Sequence, residues 1–239
     1  MFYAVEVSKP SLGWQLTCKA AELCHALGYH RAMPGSPGQA VALDAGRRQL
    51  LFWNVYIMDS TLALRLGRPS VMREWDITLD RNIGPDVIPQ PWDSITGFWI
   101  RHAEIQNRMY KLLYSPIALS RTPEEQEICA RSLAQELVDL TMDVGAVHDA
   151  AMAMPSSSEA ATPAKGKITG MNDMHPYVDK ISIYTTLTLA YRAIPAPHES
   201  PSRFCPECVD AARYSIVLHQ QAMELLKPDA YFQAIYIHW

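Results

Sequence analysis

The sequence predicts an all-α fold, an irregular multi-helix bundle of about seven helices. Three observations carry that expectation. Apolar residues recur at spacings of three and four through several long segments. Glycine and proline punctuate those segments, where a β protein would show short glycine hairpins. No run alternates apolar and polar residues as a half-buried strand does, and no internal repeat is visible.

The first periodic segment runs from Trp14 to Leu27. Trp14, Leu16, Ala20, Ala21, Leu23, Cys24 and Leu27 form its apolar face, and Gly28 is its expected C-cap. Pro34-Gly35-Ser36-Pro37-Gly38 reads as a loop. Asp44 opens a longer segment through Leu66. Its middle, Leu50 to Met58, is apolar on nearly every side. Periodicity alone would also allow a buried strand, but more than twenty residues pass without a breaker, so length decides for a buried helix. Gly67 caps it, and Pro69 forbids another turn.

Residues 70–92 read as an irregular connection with Gly84 and prolines at 85, 89 and 91. Asp93 or Ser94 can cap a helix to about Tyr114, with Phe98, Ile105, Met109, Leu112 and Leu113 inward. Thr122-Pro123-Glu124-Glu125 combines a cap, a first-turn proline and early acids, starting a helix to about Val147. Residues 155–170 are the low-complexity stretch and read as a mobile surface loop. Helical patterns resume at about 174–193, at 206–226, and from Pro228 onward. The chain is expected to form a single domain over 1–239.

Composition bounds the function. With 239 residues and 49% of them apolar, the chain has enough material for one large core or two small ones. The charge, 21 − 25 = −4, and a pI near 6.0 argue against a protein that coats nucleic acid. No Lys/Arg run of five occurs either, so the isolated chain is not expected to bind DNA. The start, Met1-Phe2-Tyr3-Ala4-Val5-Glu6, has no signal-peptide pattern. The apolar run Ile181–Tyr191 is half of the roughly 20 residues a bilayer needs, so no membrane partner is expected.

The cysteines are Cys18, Cys24, Cys129, Cys205 and Cys208, an odd and sparse set that points to a reducing compartment. Cys205-Pro206-Glu207-Cys208 has zinc-ligand spacing, but no second pair exists, so two plain thiols at a helix start are the favoured reading. Eight histidines are scattered, and none forms a His-x-x-x-His face. No glycine-rich phosphate loop, dinucleotide fingerprint or Gly-x-Ser-x-Gly appears. No catalytic, cofactor-binding or metal residue is therefore assigned.

The informative polar residues lie on the second helix: Arg47, Arg48, Asp59, Arg65 and Arg68. Asp59 falls among apolar neighbours and needs a partner if buried. Arg47 and Arg48 are about three turns away. Arg68, just past the Gly67 cap, is the expected partner in an ion pair that fixes the helix end; a ligand-contacting carboxylate is the other reading.

At this helix the chain resembles a known family. Arg47-Arg48-Gln49-Leu50-Leu51-Phe52-Trp53-Asn54-Val55-Tyr56-Ile57-Met58-Asp59, followed by Leu64-Arg65-Leu66-Gly67-Arg68-Pro69, is similar to the signature of the fungal-specific transcription factor domain. That domain is the middle homology region of fungal binuclear zinc-cluster regulators. The helix ending Leu27-Gly28-Tyr29-His30-Arg31, the step Asp76-Ile77 and the start Cys208-Val209-Asp210-Ala211-Ala212 also resemble it. Leu50 and Ser60 depart from it, standing where a third basic residue and an arginine are frequent.

The resemblance implies a nuclear, non-catalytic regulatory domain that controls transcription in response to a small-molecule effector or a co-regulator protein. It marks Arg47, Arg48, Trp53, Tyr56, Asp59, Leu66, Gly67, Arg68 and Pro69 as signature residues with structural roles. It also implies that zinc and DNA contact belong to a six-cysteine cluster absent from this chain, that the full-length parent can be a homodimer, and that the chain is an incomplete piece or a shortened product. Two other functions compete: a ligand-free helical interaction scaffold, and an all-α lyase or isomerase using Asp59, His30 and Tyr56. A cavity lined by aromatics would speak against the scaffold. The enzyme would need a carboxylate and a histidine converging in one pocket.

Overall fold

The computed structural model describes residue 4 and residues 9–32, 39–84, 86–90, 92–153, 171–195 and 203–226. The loop expected at residues 34–38, the mobile loop expected at 155–170 and the helix expected from Pro228 lie outside the described residues. Six α-helices are described and no strand occurs among the described residues, so the fold is all-α. None of these helices is long and apolar enough to cross a membrane. The chain divides into two compact units, residues 1–111 and 112–239.

The first unit holds α1 (Pro10–Ala26), α2 (Gln39–Leu66) and α3 (Trp92–Met109), the last continued by a π-helical turn at Tyr110–Tyr114. Helix α2 begins five residues before Asp44, which instead pairs with Arg48 one turn on. It packs against both α1 and α3. From Phe52 to Ala63 it is buried on nearly every side: Phe52, Trp53, Val55, Tyr56, Met58, Asp59, Ser60, Leu62 and Ala63 are all inside. Their cluster takes Ala21 and Cys24 from α1, Ile100 and Ala103 from α3, and Met72 and Ile83 from the connection between α2 and α3. That connection is irregular, as its prolines predict, apart from a 3-10 turn at Glu74–Asp76. It comes so close to α2 that a Cβ on Gly46 would stand 2.2 Å from Cγ2 of Val87.

The C-termini of α1 and α2 are closed in the same way. Gly67 takes φ +64°, its N–H reaches the Leu64 carbonyl at 3.2 Å, and the Arg68 N–H reaches Ala63 at 2.8 Å. Gly28, at φ +71°, does the same for α1, with bonds from Gly28 to His25 and from Tyr29 to Cys24. These are Schellman caps, which satisfy the last carbonyls of a helix and need a residue that accepts positive φ.

The α1 face expected to point inward is only partly inside. Gly13, Thr17, Ala21 and Cys24 are buried, whereas Leu16, Leu23 and Leu27 are exposed. The inner face of α1 is thus made of small side chains, the kind that lets a helix pack closely against its neighbour.

The second unit is built from α4 (Pro123–Ala153), α5 (Met171–Arg192) and α6 (Pro206–Leu226), with α5 packing against both others. Helix α4 opens with the expected cap, a reciprocal capping box. The Glu125 N–H donates to Thr122 Oγ1 at 3.2 Å, and the Thr122 N–H donates to Glu125 Oε2 at 3.0 Å. Leu133, Leu137, Ile183, Leu187 and Leu218 fill the core among buried alanines at 130, 134, 190, 211 and 222. Cys205 and Cys208 are buried at the start of α6. Their thiols donate to the carbonyls of Tyr191 and Thr188 at 3.5 Å, and burial pushes both pKa values up. The two-residue cysteine spacing therefore ties the start of α6 to the end of α5. Among the described residues, no three His, Cys, Asp or Glu side chains gather closely enough to hold a metal ion.

Candidate functional site on the signature helix

The signature residues divide by where α2 and its cap place them. Arg47 and Arg48 lie in the exposed first half, with the Arg48 guanidinium 5.6 Å from the Tyr29 ring centre. Trp53 and Tyr56 are buried and meet edge to face, with ring centres 5.4 Å apart. The Trp53 indole N–H donates to the Asp80 carbonyl at 2.9 Å. Leu66, Gly67 and Arg68 make the cap, and Pro69 follows outside the helix.

Asp59 is fully buried, and Arg68 is not its partner. Its Oδ2 accepts three hydrogen bonds from the returning chain: Ser70 Oγ at 2.6 Å, Val71 N–H at 3.0 Å and Met72 N–H at 3.0 Å. The Gly67 turn reverses the chain, so residues 70–72 run back beside α2 with two amides and a hydroxyl aimed at the carboxylate. Oδ1 has no hydrogen-bond partner among the described residues. Burial pushes the Asp59 pKa above its ordinary value, and the three donors offset this only in part. Arg68 instead lays its guanidinium 4.5 Å from the centre of the Trp14 ring on α1. The expected ion pair is thus replaced by a carboxylate anchoring a turn and an arginine clasping an aromatic ring.

A different outcome for mutants follows. Arg68→Ala is expected to cost the cation–π contact, roughly 0.5–2 kcal/mol. Because Arg68 and Asp59 share no partner, the double mutant with Asp59→Ala should lose the sum of the two within about 0.5 kcal/mol. Chemical denaturation of the four proteins in that cycle measures this directly. A strong coupling would restore the ion-pair reading.

Beside the aromatic pair lies a cleft of about 360 Å³ whose walls include Trp53, Tyr56, Glu74, Arg81, Glu104 and Arg108. Arg81 Nε donates to Glu104 Oε1 at 2.7 Å, joining the connecting segment to α3. The Tyr56 hydroxyl donates to Glu74 Oε1 at 3.3 Å, and the nearby Asn107 amide acts to hold the phenol's pKa down. Burial, the larger effect, raises the Tyr56 pKa, so the phenol stays protonated. Asn107 Nδ2 in turn lies 3.4 Å from Ser70 Oγ. Polar groups therefore lie in sequence from Glu74 and Tyr56 at the cleft to Asn107, Ser70 and buried Asp59, with hydrogen bonds joining Tyr56 to Glu74, Asn107 to Ser70 and Ser70 to Asp59. Tyr56 is in a cleft wall, but Asp59 and His30 are not, so the cleft does not unite the three residues the enzyme reading requires.

Ser70, Asn107, Glu74, Arg81 and Glu104 were not singled out by sequence. Only Ser70 had a local signal, a small hydroxyl residue directly after a Gly-Arg-Pro helix stop. The others join the site from more than ten residues away in the chain, and no spacing rule reaches that far.

By fold, this is an all-α protein organised in its first unit around one long buried helix. Its residues 1–160 match the family described as the fungal specific transcription factor domain, and the chain belongs to that family. Among curated proteins it is similar to the ABC-transporter-regulating transcription factor of Aspergillus fumigatus, 28% identical over 139 residues, covering 54% of this chain and 15% of the relative. The protein of the same name in Aspergillus oryzae is 28% identical over 125 residues, covering 48% of this chain and 14% of the relative. The lactose regulatory protein of Kluyveromyces lactis is 31% identical over 70 residues, 29% of this chain and 8% of the relative. The chain thus spans less than a sixth of each of these relatives. No solved structure matches.

Proposed function

We propose that this chain is a regulatory domain of a fungal transcription regulator, and that its output is set by a small polar molecule held in the cleft beside Trp53 and Tyr56. Both units would belong to that one domain, a reading supported by a family match that runs across their boundary at residues 111 and 112. The relatives carry the names of transcription regulators, which supports a nuclear protein that changes transcription and performs no catalysis. DNA contact and zinc would be supplied by a cluster domain elsewhere in the parent protein.

The observation that carries the reading is the cleft itself. At about 360 Å³ it has the volume of a small-ligand site, and two aromatic signature residues and four charged side chains line it. The run of polar groups from Tyr56 through Asn107 and Ser70 to Asp59 would be the route by which occupancy tightens the turn after the helix cap. A ligand that takes the Tyr56 hydroxyl or the Glu74 carboxylate as a partner changes the first link of that run.

A thermal-shift screen of the chain against amino acids, organic acids, sugars and nucleotides tests this, paired with a reporter to which the chain is tethered through a foreign DNA-binding domain. At a hundred times Kd, a ligand should stabilise the fold by about 2.7 kcal/mol. Arg81→Ala should remove both the shift and the reporter response. Its own melting should stay close to the parent's, because Arg81 is exposed and its ion pair is worth roughly 0–1 kcal/mol. If no compound shifts the melting and the reporter ignores the same compounds, the scaffold reading replaces this one.

A further inference from the structure

The charges around the cleft beside Trp53 and Tyr56 select the class of molecule it can hold. Its walls carry two acids, Glu74 and Glu104, and two bases, Arg81 and Arg108, so the formal charges balance. A ligand of net charge, whether a nucleotide, a diacid or a polyamine, sets like charges against one pair of these residues, which is costly. An uncharged sugar answers neither sign. The match is a small molecule that carries one charge of each.

Two groups are placed to receive those charges. Glu74 sits on the 3-10 turn of the connecting segment. Its Oε1 accepts from the Tyr56 hydroxyl at 3.3 Å, and its Oε2 accepts no hydrogen bond among the described residues. Arg81 bonds Glu104 through Nε at 2.7 Å, and its two outer nitrogens make no hydrogen bond among the described residues. The Glu104 bond is the main cause that raises the Arg81 pKa, and the Glu74 carboxylate adds to it from farther away. Glu74 therefore lies within electrostatic range of the guanidinium, yet the ion pair that Arg81 makes is with Glu104. A carboxylate acceptor and a two-nitrogen donor fork thus line one cleft with a gap between them.

Size and lining set the rest of the molecule. At about 360 Å³ the cleft is near the lower end of ligand pockets, roughly 300–1,000 Å³. That suits one amino acid and is small for a peptide or a dinucleotide. Trp53, Ile77 and Leu79 supply an apolar wall, and all three pack in or against the core of the unit.

We propose that the molecule held in the cleft is a free α-amino acid with an apolar side chain. Its ammonium donates to Glu74 Oε2, its carboxylate accepts from the outer nitrogens of Arg81, and its side chain lies on Trp53, Ile77 and Leu79. An ammonium and a carboxylate on one carbon span such a gap with a charge-assisted bond at each end. The assignment rests on the cleft being the effector site, and it names the class of effector that site takes.

Isothermal titration of the whole chain tests this with leucine, methionine and phenylalanine, each up to about 10 mM, so that a Kd of about 1 mM is still seen. Each is paired with the amine that lacks the carboxylate and the acid that lacks the ammonium; for leucine these are 3-methylbutylamine and 4-methylpentanoate. At least one amino acid should bind, and both of its analogues should bind at least about tenfold more weakly, since each forfeits one charge-assisted bond. Glu74→Gln should weaken the amino acid at least about tenfold and should not weaken the acid, which has no ammonium to lose. Its amide oxygen keeps the Tyr56 bond and the site is exposed, so its melting should match the parent's. An amino acid that binds no better than its analogues, or as well to Glu74→Gln as to the parent, overturns the proposal. So do titrations in which none of the three binds. If organic acids, sugars or nucleotides then shift the melting in the thermal screen, the amino-acid assignment alone fails; if no compound does, the cleft reading fails with it.

Discussion

Replacing Asp59 with alanine is expected to destabilise the fold by about 3 kcal/mol, roughly 6–12 °C in melting midpoint for a domain of this size. The change removes the acceptor for the Ser70 hydroxyl and the Val71 and Met72 amides; the buried Met72 amide left stranded costs about 1–3 kcal/mol, and the half-buried Ser70 and exposed Val71 donors add less. Relief of a buried charge returns part of that. Asp59→Asn separates the two contributions, because its amide oxygen can still accept from the turn while carrying no charge. It should melt near the parent at neutral pH.

Acidity then gives a second measurement. The folded pKa of Asp59 lies above its unfolded value, so between the two the folded state binds the extra proton. Within that window stability falls as pH rises, and above it the deficit is constant. On acidification from neutral pH, the parent should therefore gain stability relative to Asp59→Asn, levelling off below the ordinary aspartate range near 4. A difference between the two proteins that is flat with pH would show that burial does not penalise this carboxylate.

Trp53→Ala should cost about 3–5 kcal/mol, a large share of the 5–15 kcal/mol that holds a typical domain together. Trp53 is 2% exposed, meets Phe52 and Tyr56 edge to face at 5.3 and 5.4 Å, and ties the connecting segment to α2 through Asp80. Removing the ring leaves a void at the centre of the first unit and opens the wall of the cleft. Trp53→Phe keeps most of the volume and loses the indole hydrogen bond, for a cost of about 1 kcal/mol. Leu51→Ala, two residues away but 53% exposed, should stay within about 0.5 kcal/mol of the parent. Urea unfolding of the three variants ranks them, and a Trp53→Ala protein as stable as Leu51→Ala would remove Trp53 from the core.

Much of the fold was legible because it is local. The Gly67 and Gly28 stops, the Thr122-x-x-Glu125 cap and the apolar run at 50–58 each state their structure within a few residues, and all appear where the chain predicts them. The start of α2 was missed by five residues, because Asp44 looks like a cap but serves in an ion pair along the helix.

The inner face of α1 was misread for a physical reason. Hydrophobicity says that leucine goes inside, but the buried positions of α1 are held by glycine, threonine, alanine and cysteine. The need of Asp59 for a partner was visible, yet its identity was not: proximity in sequence favoured a charged side chain at 68, whereas the chain reversal brings backbone amides closer. The cleft was invisible altogether, since Glu74 and Arg81 meet Glu104 and Arg108 only after the connecting segment has folded back.

The Asp59 turn has a dynamic corollary. Val71 is 41% exposed, so by accessibility its amide belongs with those that exchange hydrogen freely with solvent. That amide is nevertheless bonded to a carboxylate sealed inside the unit. Solvent reaches it only when residues 70–72 lift away from α2, so its exchange rate reads the opening free energy of that one turn. Val71 thus offers a local gauge, set on the surface, of how firmly the interior holds its loop.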